Sequence, residues 1–216
     1  VSDSRFPDPR RARGDIVAFG DDLRVETLRD AYRHGIFPWP TEDYPLPWFS
    51  PRRRAVIMLD ELHVGRTLRK SLSRSRFDYS IDRDFAAVIE ACSRVPRPEQ
   101  EGTWIEPRIV AAYTRLHEAG DAHSIEVWED GKLAGGLYGV DAGGVFTGES
   151  MFHLRNDASR AALLYLADHL AKRGATFIDC QVSTPHMVAL GAREIARAKY
   201  LDLLARAQTS GIVLFD

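Results

Sequence analysis

Residues 178–182 read Ile-Asp-Cys-Gln-Val, an apolar strand pattern that carries a carboxylate and an amide two positions apart. Strand side chains alternate, so Asp179 and Gln181 share a face with Phe177, while Ile178, Cys180 and Val182 share the other. A carboxylate beside an amide can accept from the amide NH₂ and fix which way the amide carbonyl points. That geometry suits the positioning of an amine. It does not suit a strong base, because a neutral amide takes up a proton poorly. The same two residues can also form a buried hydrogen-bonded pair at a strand end, and they do not separate the readings alone. A second carboxylate, Glu149, stands in Phe-Thr-Gly-Glu-Ser-Met-Phe (146–152), where Gly148 marks a close approach of ligand or backbone within a strand. Among apolar neighbours Glu149 can receive a cation, or it can point to solvent. The stretch is not a G-x-S-x-G elbow, so Ser150 gains no support as a hydrolase nucleophile.

Other constellations are weaker. His117 and His123 lack the i, i+4 spacing of a zinc-protease helix, and Gly120 lies between them. Cys180 and His186 could pair as nucleophile and base, yet Cys180 falls on the apolar face, where a small buried thiol is the common case. Neither Gly-Leu-Tyr-Gly-Val (136–140) nor the run ending at Gly144 has the spacing of a phosphate-cradling loop. No metal and no cofactor are expected.

The elements that must position these residues are readable in outline. Leu28, Tyr32 and Ile36 follow helical spacing, and Gly35 then Pro38 stop the helix. A segment dense in proline and aromatics follows to residue 51 and forbids a long regular element. A boundary near residue 53 would divide a small N-terminal domain (1–53) from a larger one (54–216). Val64, Leu68 and Leu72 predict a helix with Arg66, Arg69 and Lys70 turned away from its apolar stripe. Phe85, Val88, Ile89 and Cys92 predict another, and Pro107 opens a third with Ile109, Tyr113 and Leu116 inward. Residues 123–152 alternate, with turn signals at Asp130-Gly131 and Gly143-Gly144, and predict three antiparallel strands. A helix from Asp157 to about Arg173 would turn Leu163, Leu164, Leu166 and Leu170 inward. The strand bearing Asp179 and Gln181 follows, then a short helix from Pro185 and a further strand and helix. The class is α/β (α+β), a mixed sheet with helices on its faces.

With 44% hydrophobic and 28% charged residues the chain can bury a sizeable core. It contains no apolar run long enough to cross a membrane and no leader-like opening, and its two cysteines lack metal-ligand spacing. A soluble cytoplasmic protein is expected. Net charge is −2, but Arg52 to Arg76 gathers eight basic residues against Asp60 and Glu61, a local +6. Such an island on an acidic body can dock a phosphate backbone, or can be a solvated helix face.

His-Gly-Ile-Phe-Pro-Trp (34–39), Trp-Phe-Ser-Pro-Arg-Arg-Arg-Ala-Val (48–56), Glu-Gly-Thr-Trp-Ile (101–105), the stretch 112–128, Gly-Gly-Leu-Tyr-Gly-Val (135–140), Gly-Glu-Ser-Met-Phe (148–152), Ile-Asp-Cys-Gln-Val (178–182) and Leu-Gly-Ala-Arg-Glu-Ile (190–195) occur in one order and spacing. In that set the chain resembles leucyl/phenylalanyl-tRNA–protein transferases, from about residue 6 to 206. The resemblance implies a catalytic domain with the fold of acetyl-CoA-dependent N-acetyltransferases behind a small N-terminal domain. It implies transfer of Leu or Phe, and Met less well, from aminoacyl-tRNA to acceptor proteins that begin with Arg or Lys, marking them for degradation. No membrane partner is implied, and a monomer is expected.

By the same resemblance Asp179 would be the orienting carboxylate and Gln181 the group contacting the attacking amine. Glu149, with Ser150 beside it, would help receive the cationic acceptor. Leu137, Phe146, Met151, Leu163, Leu166 and Ile178 would line the aminoacyl pocket. Trp39 would contact the terminal adenosine, with Tyr32, Trp104 and Tyr113 nearby, and Arg66, Arg69, Lys70 and Arg74 would touch the acceptor stem. The physical demands agree. An α-amine has a pKa of about 7.7–8.0, so a useful fraction is neutral near pH 7. The donor is an activated ester, and holding amine and carbonyl together supplies much of the acceleration. Two rivals stand beside this reading. An acetyl-CoA-type N-acyltransferase would need a glycine-bearing pyrophosphate turn, which His153 to Ala162 lacks. A non-catalytic tRNA-binding module would leave the Asp179/Gln181 pair without a purpose.

Overall fold

The computed structural model describes residues 4–41, 45–94 and 105–215. Where prolines are dense the strands are short. β1 (Ile16–Phe19), β2 (Phe37–Pro38) and β3 (Pro47–Phe49) form a small sheet in the order β1-β3-β2. The main sheet holds β4 (Arg53–Met58), β5 (Phe77–Ile81), β6 (Ala122–Glu129), β7 (Lys132–Asp141), β8 (Phe146–His153), β9 (Phe177–Gln181) and β10 (Arg193–Ala196). These seven lie side by side as β10-β4-β9-β8-β7-β6-β5. All neighbours are antiparallel except β8 and β9, which run parallel. A parallel pair needs a crossover, and α5 (Ala158–Lys172) provides it.

The other helices are α1 (Val25–Arg33), α2 (Arg66–Leu72), α3 (Phe85–Arg94), α4 (Pro107–Glu118), α6 (Pro185–Ala189) and α7 (Arg197–Ser210). They cover both faces of the sheet, as the alternation of helix and strand predicts. One apolar cluster joins α1, α3, α4 and α7 to one face, through Leu28, Tyr32, Val88, Ile109, Tyr113, Phe177 and Tyr200. The other packs α5 onto the opposite face, through Leu163, Leu166 and Leu170 against Ile57, Leu137, Phe146 and Ile178. Each such buried side chain stabilises the fold by roughly 1.5–3 kcal/mol. Leu164 is half-buried rather than inward, because it sits beside the stripe that Leu163, Leu166 and Leu170 define.

Two local signals do as expected. Asp130 and Gly131 both take positive φ (50° and 73°) in the turn between β6 and β7, the backbone that a two-residue hairpin requires. Gly35 ends α1 at φ 71°, and a Cβ there would stand 2.7 Å from Leu201 and 2.8 Å from Tyr200. Glycine at 35 therefore sets the close approach of α1 to α7. The strands β1 to β5 carry no clean alternation in the sequence, and their placement comes from the partners they pair with.

Candidate active site

The parallel ladder between β8 and β9 is short, with Phe146 opposite Ile178 and Thr147 opposite Asp179. On the far side of each strand the register slips just beyond it. β8 has an extra residue at Glu149 against β7, where Tyr138 faces Ser150 and Gly139 faces Gly148. β9 has one at Cys180 against β4, where Ala55 faces Gln181 and Val56 faces Asp179. Bulges bend a strand and re-aim a side chain. Two of them on adjacent strands part the strands and turn Glu149 and Gln181 toward each other. Gln181 itself sits at φ 61°, and the Val182 N–H reaches back to the Cys180 carbonyl at 2.7 Å. This is a γ-turn in its rare left-handed form, which costs a non-glycine residue on the order of 1 kcal/mol or more.

Asp179 supplies the interaction that offsets that cost. Its Oδ1 accepts the Gln181 backbone N–H at 2.9 Å. The carboxylate is fully buried and wholly engaged by other donors as well. Arg54 donates to it twice, Nε to Oδ1 at 2.8 Å and Nη2 to Oδ2 at 2.6 Å. Tyr200 and Thr147 hydroxyls donate to Oδ2 at 2.8 and 3.1 Å. The Arg54 guanidinium lies 4.7 Å from the Phe37 ring centroid and 4.4 Å from that of Tyr200, and it also donates to the Gly35 carbonyl at 3.2 Å. Burial opposes its charge, but Asp179 and Tyr200 keep its pKa above the ordinary arginine value. Burial likewise pushes the Tyr200 phenol up, so it stays a donor. The Arg54–Asp179 pair thus clamps the N-terminal segment to β9.

The reading that Asp179 accepts from the Gln181 side-chain NH₂ is corrected here. Asp179 takes the backbone N–H, and the side-chain Nε2 donates instead to Glu149 Oε1 at 2.6 Å. The physical reason is twofold. A buried carboxylate needs its cation, which Arg54 occupies, and the turn at Gln181 swings the side chain toward β8. Alternation nonetheless holds up to the turn. Asp179 shares the face of Phe177 and Tyr200, and Cys180 packs on the cluster of Ile178. Cys180 is half-buried, and desolvation raises its thiol far above the usual pKa, which disfavours the nucleophilic thiolate.

Glu149 is held by two phenols besides Gln181. Tyr32 donates to Oε1 at 2.6 Å, and Tyr113 reaches Oε2 at 3.4 Å, with the two hydroxyls 2.5 Å apart. Burial and the nearby carboxylate raise both tyrosine pKa values, so the phenols remain protonated. Burial lifts the Glu149 carboxyl to about 7, against the pull of the Tyr32 and Gln181 hydrogen bonds. With its NH₂ committed to Glu149, the Gln181 amide turns its carbonyl away from that carboxylate. The pair can therefore present an acceptor oxygen to an incoming N–H.

The remaining residues named from the sequence fall into separate groups. Leu137, Phe146, Leu163, Leu166 and Ile178 are buried in one apolar cluster, with half-buried Met151 against it. Ser150 follows Glu149 on β8, half-buried and opposite Tyr138. Tyr32 and Tyr113 lie beneath Glu149, buried, and Trp39 lies apart, half-buried beside Phe37 and Phe49. Trp104 lies outside the described residues. Arg66, Arg69, Lys70 and Arg74 are all exposed on α2 and just after it. In contrast, Arg52 and Arg53 pair with Asp15 and Glu194, and Arg54 is buried. The basic island is smaller than the sequence count. A depression of about 580 Å³ lined by Glu26, Arg29, Arg33, His34 and Gln208 contains none of these residues and is a different feature. Sequence reading missed Arg54, Tyr200 and Thr147. The signal available was the demand of a buried Asp179 for a cation, since Arg54 directly precedes the apolar run Ala55–Met58 of β4.

A carboxylate–amide pair able to present a carbonyl to an N–H, on a mixed sheet with helices on both faces and beside a thiol that faces away, fits an amine acyltransferase. Residues 56–205 match the family described as leucyl/phenylalanyl-tRNA protein transferase, and residues 21–52 match the N-terminal domain of that family. A leucyl/phenylalanyl-tRNA–protein transferase from Chromohalobacter salexigens is 54% identical over 189 residues, 88% of this chain and 73% of that one. Another, from Myxococcus xanthus, is 50% identical over 203 residues, 94% of this chain and 87% of that one. The chain belongs to the leucyl/phenylalanyl-tRNA–protein transferase family, and it is an aminoacyltransferase working between an aminoacyl-tRNA and a protein. Among solved structures FemX is similar at a TM-score of 0.49 and 12% identity, over 82% of this chain and 70% of that one.

Proposed function

We propose that the enzyme moves leucine or phenylalanine, and methionine less well, from its tRNA to the α-amine of proteins that begin with Arg or Lys, marking them for degradation. The observation that carries this reading is the Gln181 amide, fixed by Glu149 at 2.6 Å where β8 and β9 part. Its carbonyl steadies the attacking N–H, and Asp179 acts through the Gln181 backbone. The parting gives an aminoacyl side chain a way toward the cluster of Leu137, Phe146, Met151, Leu163, Leu166 and Ile178, with half-buried Met151 at its rim. An apolar pocket separates side chains that differ by one methylene by only about 1–3 kcal/mol, which is why methionine leaks through. Trp39 takes the terminal adenosine and the exposed cations Arg66, Arg69, Lys70 and Arg74 take the acceptor stem, as single-stranded 3′ ends are gripped by aromatics and charge. Residues 1–53 make up the small N-terminal domain, which shares the apolar cluster of α1 with the catalytic domain, 54–216, and the enzyme works as a monomer in the cytoplasm. Among the described residues no helix is long and apolar enough to cross a membrane.

The test is transfer of radiolabelled Leu and Phe from charged tRNA to peptides beginning with Arg, Lys or Ala, beside an acetyl-CoA control. Label should pass to the Arg and Lys peptides alone. Acetylation without aminoacyl transfer would overturn the proposal.

A further inference from the structure

Among the described residues at the parting of β8 and β9, Glu149 alone combines capacity for a proton with reach. From this we infer that Glu149 accepts the proton that the acceptor's terminal ammonium must lose before it attacks the ester; the inference rests on the reading of this site as an aminoacyl transfer centre. Asp179 cannot serve, because it is fully buried and its oxygens are taken by Arg54, Tyr200, Thr147 and the Gln181 N–H. Gln181 is a neutral amide and orients without binding a proton. Cys180 faces the other side of the sheet. Tyr32 and Tyr113 are buried behind Glu149 and act as its donors.

Glu149 has the geometry for the task. The bulge in β8 turns it to Gln181, and the residue stays partly open to solvent. Its Oε1 already takes two short hydrogen bonds, from Tyr32 and Gln181, whereas among the described residues Oε2 has only the 3.4 Å contact of Tyr113. An ammonium bound between the Gln181 carbonyl and Oε2 meets an acceptor with room for its proton. The groups facing Glu149 from each packed element are Tyr32 of α1, Tyr113 of α4, Gln181 and Asp179 of β9, and Arg54 of β4 behind them. Burial, the dominant influence on this carboxyl, lifts it to about 7, close to the amine it would serve, and general-base transfer is most effective when the two are matched.

The step balances. The ammonium gives one proton to Glu149, and the free amine attacks the ester carbonyl to form the C–N bond. As the tetrahedral adduct collapses, the C–O bond to the ribose breaks, and the second proton leaves nitrogen for the departing ribose oxygen. Glu149 then returns its proton to solvent, so ester and ammonium give amide, hydroxyl and one free proton.

The experiment is single-turnover transfer from Phe-tRNA to an Arg-initiated peptide between about pH 6 and 9, with ester hydrolysis followed in parallel. Glu149→Gln keeps an acceptor for the Gln181 NH₂ and the Tyr32 hydroxyl. Without the base, transfer must wait for amine that is already neutral, a few per cent near pH 6.5 for a pKa of about 8. The variant should be about tenfold slower there and within about twofold of wild type near pH 9. A second acceptor guards against a folding defect. With a hydrazide terminus that is neutral throughout, the deficit near pH 6.5 should vanish. An equal loss at every pH, or a loss that persists with the hydrazide, would overturn the proton role while leaving transfer itself established. No transfer by wild type would overturn the transfer reading as well.

Discussion

Asp179 and Glu149 are carboxylates on adjacent strands, each in contact with Gln181, and the protein treats them in opposite ways. Asp179 is buried with a bidentate cation, two hydroxyls and a backbone N–H on its two oxygens. Among the described residues Glu149 has no cation in hydrogen-bond contact, only phenols and an amide, and one of its oxygens has a single long contact. A carboxylate saturated in this way can hold a shape but cannot change its protonation cheaply. One that is desolvated and left short of donors can. The contrast assigns scaffold to one and exchange to the other, from their partners alone.

The largest effect expected from that contrast is on Arg54. Removing it leaves Asp179 charged in the interior without its counter-ion, a cost of about 3–5 kcal/mol. Arg54→Ala should lower the melting temperature by about 10 °C in calorimetry, given roughly 2–4 °C per kcal/mol in a chain of this size. The double change Arg54→Met with Asp179→Leu should recover most of that stability, since apolar pairs replace buried ion pairs well. It should not recover transfer, because the Gln181 turn loses its anchor. A double variant that is both stable and active would break the comparison.

Glu149 should act on stability through pH. Its folded pKa of about 7 lies above the ordinary 4.5, so the folded state binds the proton more tightly than the unfolded state. That contribution is full below about pH 4.5 and is lost as pH rises through 7. Glu149→Gln removes the dependence, so the variant should gain on wild type between pH 5 and 8, by roughly 2 kcal/mol. Urea melts at the two pH values check it, and parallel behaviour of the two proteins would show that Glu149 is already solvated.

The same logic explains what could be read in the amino-acid order and what could not. Helical stripes such as Phe85, Val88, Ile89 and Cys92, and the turn at Asp130-Gly131, are local and were legible. So was the face shared by Asp179 and Phe177, because period two survives up to the bulge. The bulges themselves were not, since an extra residue in a strand leaves no local mark except Gly148 before one of them. Arg54 looked like its exposed neighbours Arg52 and Arg53, and only its partner 125 positions away distinguishes it. Pairing across such a distance is set by the sheet order, which the linear pattern does not carry.

The cations invite a second, smaller contrast. Arg54 is spent inside, whereas Arg66, Arg69 and Lys70 are exposed on α2, which is anchored by Ser71 to Asp157 at 2.7 Å. Replacing the three with Ala should leave the melting temperature within about 1 °C, as surface changes usually do. It should weaken tRNA binding about tenfold and lower the salt slope by up to about 2–3, near one counterion per lost contact. An unchanged slope in filter binding would put the RNA elsewhere.

The smallest effect concerns the α5 face. Leu166 is fully buried among Leu137, Phe146 and Ile178. Enlarging it to Phe narrows the space for an aromatic guest more than for a branched aliphatic one. Competition between Leu-tRNA and Phe-tRNA should therefore shift toward Leu by about threefold to fivefold, or about 1 kcal/mol, the scale of one methylene in an apolar pocket. Overpacking also costs stability, typically 1–3 kcal/mol, but that loss falls on both substrates and leaves the ratio untouched. The ratio thus reports pocket geometry separately from folding. If it stays constant while the melting temperature falls, the cluster is core alone, and the guest side chain must lie on the Glu149 side of the sheet.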